Sequence, residues 1–278
     1  MYTSRHIFHT KHDFTPELAW NTFQLLADLG GSNISIDELQ QIAHLTASPL
    51  SKRSEPNKLL ASMEELGIIE RQQNILSLTE AGMSLRRGIG GYEAGFRAAV
   101  HCLYSWQWLW HNKGFATPSW SYREVCRQLL AAGSVGVSSD ELVLRVVAAA
   151  EKFQTSKVSF SRSSVLGVAN WLMGQMPPLL QKKGEHWIIQ SANCLMTEAL
   201  RLHLTAGCAY YKGELVLSKE YLQFISEPLL TNYDDLLIVL TDYVRNCQEF
   251  MYFSGNPAKV KFKNSDDPFI EWMIKNCI

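Results

Sequence analysis

A surplus of either charge is what this sequence most clearly lacks. Its 278 residues carry 26 Lys and Arg against 27 Asp and Glu, a formal net charge of -1. A dedicated non-specific nucleic-acid binder usually shows a basic excess. Any nucleic-acid contact here must therefore come from local basic patches with the acids kept elsewhere. A near-zero charge also suits a subunit that sits against other proteins. Apolar runs are short too, and none approaches the ~20 residues needed to span a bilayer. The opening stretch, MYTSRHIFHTKHDF, has no apolar segment of the kind a secretory leader needs.

Paired cysteines are missing as well. Cys102, Cys126, Cys194, Cys208, Cys247 and Cys277 are scattered and form no C-x-x-C, which argues against a zinc knuckle or ribbon. A chain of this length does not need disulfide staples, so the expectation is a reduced, cytoplasmic protein with mostly buried thiols. His6, His9 and His12 have a spacing that could ligate a metal. With Asp13 as the sole flanking carboxylate they lack supporting groups and read as a solvated tail. The phosphate-loop, dinucleotide-loop and zinc-protease signatures are all absent, and no acid–acid–lysine set is spaced along a strand. The expectation is a protein that is not an enzyme and uses no cofactor or metal.

What is present is a sequence of caps, helices and hairpins. Thr15-Pro16-Glu17 opens a first helix, which Gly30-Gly31 ends. Ser35-Ile36-Asp37-Glu38 is a capping box that starts a second, and a third runs from about Glu55 to Leu66. Then comes LGIIERQQNILSLTEAG, residues 66–82: a helix end at Gly67, a short apolar strand, a polar turn, a returning strand, and Thr79 opening a fourth helix to about Arg87. This stretch resembles the end of a winged helix-turn-helix domain, in which LG(I/L)(I/L)E, a polar tip and LTxxG recur in that order. The resemblance implies nucleic-acid binding.

After the glycine-rich Gly88–Gly91, an aromatic helix from about Tyr92 to His111 carries Phe96, Tyr104, Trp106, Trp108 and Trp110 on more than one face, which points to burial between elements. These tryptophans, with Trp120, could stack bases, but such residues more often form a core. Beyond them the pattern recurs in divergent form. Ser138-Ser139-Asp140-Glu141 caps a helix, another spans Ser161 to Met173, and Leu179–Ile189 reads as a strand, a basic glycine turn at Lys182-Lys183-Gly184, and a strand. The remainder reads as mainly helical, with Met251–Lys263 extended and an amphipathic end from Asp266 to Ile274 that should dock on the body or on a partner.

The expected fold is mainly α with small β-hairpins: a polar arm (1–14), a first winged helix (15–88), a connecting aromatic helix (89–120), a divergent second winged helix (121–192) and a helical C-terminal region (193–278). Two clusters are the candidate DNA contacts. The first is Ser51, Lys52, Arg53, Ser54, Asn57 and Lys58 at the start of the third helix, where winged helices meet base edges and phosphates, with Arg71 in the wing. Glu64, Glu65 and Glu70 lie close to that wing and weaken the reading. The second is Lys157, Arg162, Ser163 and Ser164 at a helix start, with Lys182, Lys183 and His186 in the following hairpin. The architecture is similar to tandem-winged-helix accessory subunits of bacterial phage-defence and genome-maintenance systems. That likeness implies a non-catalytic duplex-DNA-binding subunit of a larger nucleic-acid-processing or antiviral complex. The alternative is an adaptor that docks on an ATPase, helicase or nuclease and touches DNA little. No membrane partner is expected, and a homodimer is left open.

Overall fold

The computed structural model describes residues 14–31, 33–46, 57–110, 118–152, 158–190, 197–263 and 266–276; for 90, 107–110, 118 and 197 it describes the backbone alone. The protein is mainly helical, with three small antiparallel sheets. No helix among the described residues is long and apolar enough to cross a membrane.

The first unit begins with α1 (Pro16–Asp28). Thr15 caps it by accepting from the Leu18 amide at 3.4 Å, and Pro16 stands in the first turn, where no amide is needed. Gly30 and Gly31 end it at positive φ, their amides donating to the Ala27 and Leu26 carbonyls. After β1 (Ile34–Ser35), the Ser35/Glu38 capping box opens α2 (Ile36–Leu45): the Glu38 amide meets Ser35 Oγ at 3.2 Å, and the Ser35 amide meets Glu38 Oε2 at 2.9 Å. Then follow α3 (Asn57–Glu65), β2 (Ile69–Gln72), β3 (Ile75–Leu78) and α4 (Glu80–Arg87), the last capped by Thr79. Gln73 and Asn74 make the hairpin turn, with Gln73 at φ 58°.

A second unit repeats the order: α6 (Pro118–Ala132), β4 (Val137–Ser138), α7 (Ser139–Glu151), α8 (Arg162–Met173), β5 (Leu180–Lys183) and β6 (His186–Ile189). Ser138 caps α7 and Ser161 caps α8. A third copy follows where the sequence reads as a helical C-terminal region. It comprises α9 (Thr197–Tyr210), β7 (Glu214–Val216), α10 (Lys219–Ser226), α11 (Tyr233–Asn246), β8 (Phe250–Phe253) and β9 (Lys259–Phe262). Ser218 and Asn232 cap its two inner helices. In all three units the lone strand pairs with the second strand of the hairpin, giving the orders β1-β3-β2, β4-β6-β5 and β7-β9-β8. The C-terminal region therefore differs from the expectation in holding a three-stranded sheet. The extended stretch Met251–Lys263 supplies its hairpin.

The aromatic helix α5 (Glu93–Trp110) runs between the three units. Phe96 stacks on Phe23 of α1, with ring centroids 4.8 Å apart, and Tyr104 stacks on Tyr122 of α6 at 4.8 Å. Trp106 packs edge-on against Phe224 of α10 at 4.8 Å and donates to His203 Nδ1 of α9 at 2.8 Å. Trp106 and Trp120 are buried, so these two belong to the core and have no face free for a base. The C-terminal helix α12 (Pro268–Asn276) docks on the body against α4 and α9, burying Phe269, Ile270 and Met273. It thus clamps the third unit to the first.

Candidate nucleic-acid interface

In the first unit, Ser51, Lys52, Arg53 and Ser54 lie outside the described residues. Asn57 and Lys58 are exposed at the start of α3. Arg71 does not stand free in the hairpin: its guanidinium donates to Asn57 Oδ1 at 3.2 Å and pairs with Glu64 at 3.5 Å. The structure thus joins two candidate residues, Asn57 and Arg71, but spends much of the charge of one and the acceptor of the other on a local network. The remainder of the hairpin face is acidic or neutral, with Glu70 accepting from Ser77 at 3.0 Å.

The second unit brings its two basic segments together. Arg162, in the first turn of α8, lies 3.6 Å from Glu185 in the hairpin turn and 3.8 Å from Asp140 at the start of α7. Lys182, Lys183 and His186 are exposed, while Lys157 lies outside the described residues. Two expectations need correction here. Ser164 is buried: it belongs to the cap, with its hydroxyl 3.1 Å from Ser161 Oγ and its amide donating to that same oxygen at 3.3 Å. Ser163 shares that cap, its hydroxyl 2.8 Å from Ser161 Oγ.

The second correction concerns the turn, which is Gly184-Glu185; Lys182 and Lys183 are the last residues of β5. Gly184 takes the positive φ, 61°, that the turn requires. Strand residues alternate sides, so the two lysines face opposite ways. Lys183 pairs across from His186 on the outer face. Lys182 pairs across from buried Trp187, its ammonium 5.5 Å from the ring centroid.

Beyond its first turn, α8 is largely packed away, with Leu166, Asn170 and Met173 half-buried along one side. Trp171 is fully buried against Phe14, donating to the Phe14 carbonyl at 2.7 Å, and Arg97 of α5 donates to the Gly174 carbonyl at the helix end. The one exposed residue of α8 is Arg162, at its start.

Sequence reasoning names no nucleic-acid candidate in the third unit, whose hairpin strands are joined by residues 254–258 instead of a two-residue turn. Its outer sheet face aligns Glu214, Lys261 and Met251 in one row and Val216, Lys259 and Phe253 in the next. Lys259 pairs with Glu214 at 2.7 Å and holds that carboxyl below its ordinary range. Its third helix, α11, presents Asp234, Asp235 and Asp242 with exposed Ile238. That surface would repel phosphate. Among the described residues no group of three or more His, Cys, Asp or Glu could hold a metal ion. Cys102, Cys126, Cys208 and Cys247 are free thiols; Cys194 and Cys277 lie outside the described residues.

No family model matches this chain, and no curated protein matches it. A solved structure of a protein named SspB is similar in fold. The two share 13% identity at a TM-score of 0.53, over 98% of this chain and 88% of that one. At that identity the likeness concerns the fold alone. It runs through all three units, including the third, whose sheet the sequence conceals.

Proposed function

We propose that this chain is a non-catalytic duplex-DNA-binding protein made of three winged-helix units around one aromatic helix, and that its second unit makes the main contact. The thrice-repeated order of helix, strand, two helices and hairpin supports the winged-helix reading. The observation that carries the DNA reading is the Arg162–Glu185 contact. It sets the first turn of α8 beside the basic hairpin, so that Arg162, Lys183 and His186 can follow one phosphate backbone. The acids Asp140 and Glu185 temper this surface, in keeping with a chain of near-zero net charge that contacts DNA as one subunit of a larger nucleic-acid-processing complex. The experiment is duplex binding by the purified chain across a salt series, where phosphate contacts impose a falling log–log line.

A second reading is an adaptor that docks on an ATPase, helicase or nuclease. It is favoured by the acidic outward face of α11 with exposed Ile238, and by the Arg71–Glu64 pairing that takes charge from the first wing. Duplex affinity insensitive to salt would favour this reading over the first.

A further inference from the structure

A cleft of about 760 Å³ opens in the third unit between the end of α9, strand β9 and helix α12. Its floor is apolar, formed by Ala209, Phe262 and Ile274 with the Cys208 thiol, and its rim carries Lys212, Lys263 and Lys275. The three lysines are exposed and form no ion pair among the described residues. Two carboxylates, Asp266 and Glu271, complete the rim. The backbone keeps the mouth open: Gly213 stands at φ 97°, and a Cβ there would meet nothing within 4 Å. The carbonyls at the end of α9 are already occupied, since the Gly213 amide donates to Cys208 O at 2.6 Å and the Lys212 amide to Ala209 O at 3.1 Å. The C-terminal ends of α9 and α12 both border the cleft, and its three lysines offset their negative field.

We infer that this cleft binds a mononucleotide. Three lysines in one lining, none ion-paired among the described residues, suit a phosphate monoester, whose dianion accepts charge-assisted hydrogen bonds. An apolar floor with one aromatic side suits a flat uncharged base, and the volume lies within the range of small-ligand sites. Asp266 and Glu271 can accept only, which matches the hydroxyl donors of the sugar. This site is separate from the proposed DNA surface of the second unit and does not rest on it.

The test is isothermal titration of the full chain with adenosine 5′-monophosphate, adenosine and inorganic phosphate, repeated on Lys212→Gln and Lys275→Gln. Both positions are exposed, so the fold should be kept. The expected result is binding of the monophosphate more tightly than of either half, weakened about tenfold or more by each substitution, as loss of a charge-assisted contact implies. Duplex binding by the same variants should stay unchanged. The inference is overturned by a monophosphate that does not bind, by inorganic phosphate binding as tightly as the nucleotide, or by affinity indifferent to both substitutions.

Discussion

Arg162 reaches Glu185 across 3.6 Å, and that one contact ties the first turn of α8 to the turn of the second hairpin. Both side chains are more than half exposed, so the pair contributes little to stability, roughly 0–1 kcal/mol. Its consequence is electrostatic: the Glu185 carboxylate offsets part of the Arg162 charge that the proposed DNA contact would use. Glu185→Gln is expected to strengthen duplex binding several-fold with no loss of fold, read by fluorescence anisotropy. Weaker binding in this variant would remove the hairpin turn from the interface.

Arg123 joins the second unit to the third. Its guanidinium, almost fully buried, donates to Glu227 at 2.6 Å and to the Phe224 carbonyl at 3.0 Å, and lies 3.5 Å from the centre of the Phe224 ring. Removing one partner of a buried pair strands the other charge, which costs about 3–5 kcal/mol when burial is complete. Glu227 keeps some solvent contact, so Arg123→Ala should lose about 3 kcal/mol or somewhat less, measured by urea unfolding. A loss confined to a few tenths would mean that the units are held together by apolar packing alone.

Much of the first two units was legible because their signals are local. Ser35 with Glu38, Ser138, and the LTEAG that follows the first hairpin each announce a boundary within four or five residues. The third unit was not legible as a repeat. Lone strands pair across some forty to fifty residues in all three units; what sets the third apart is its hairpin, whose strands Phe250–Phe253 and Lys259–Phe262 are joined by residues 254–258 instead of a two-residue turn. The candidate site was legible as residue types and not as geometry. Lys182 and Lys183 are adjacent in sequence yet lie on opposite faces of β5. The ion pairs that temper Arg71 and Arg162 depend on tertiary approach. The burial of α8 depends on Phe14, which precedes Trp171 by more than half the chain.

Two histidines make stability depend on pH. His101 and His203 are both fully buried, their rings 5.7 Å apart, and neither Nε2 has a partner among the described residues. Burial lowers the His101 pKa from 6.5 to about 4. Burial first, then the charges of His101 and Arg123, hold His203 well below 6.5. As pH falls through 6.5 the unfolded chain takes up protons that the folded chain refuses. The stability these groups contribute is therefore full above 6.5 and drains as pH falls, for His101 through about pH 4. For His101 the loss is on the order of 3 kcal/mol. Urea unfolding at several pH values should show the decline, and His101→Gln should make it shallower. An unchanged pH slope in that variant would contradict the assignment.

Gly82 sits where α4 crosses Ile68, in the bend between α3 and β2. A Cβ there would lie 2.1 Å from the Ile68 carbonyl oxygen, a backbone atom that cannot swing aside. Gly82→Ala, ordinarily a helix-favouring change, should instead destabilise by about 1–3 kcal/mol through overpacking. Thermal melting reads this directly, and a raised melting temperature would refute the packing of α4 against that segment.

The most direct measurement is the salt dependence of duplex binding for the parent chain beside Lys183→Ala and Lys182→Ala. Lys183 shares the outer face of the hairpin with His186, whereas Lys182 lies over Trp187. The account predicts a parent line that falls with salt. Lys183→Ala should flatten it by about 0.9 in the log–log slope, one phosphate contact, and Lys182→Ala should change it less. A parent line that is flat, or a slope that Lys183→Ala leaves unmoved, would contradict the claim that the second wing lies on DNA.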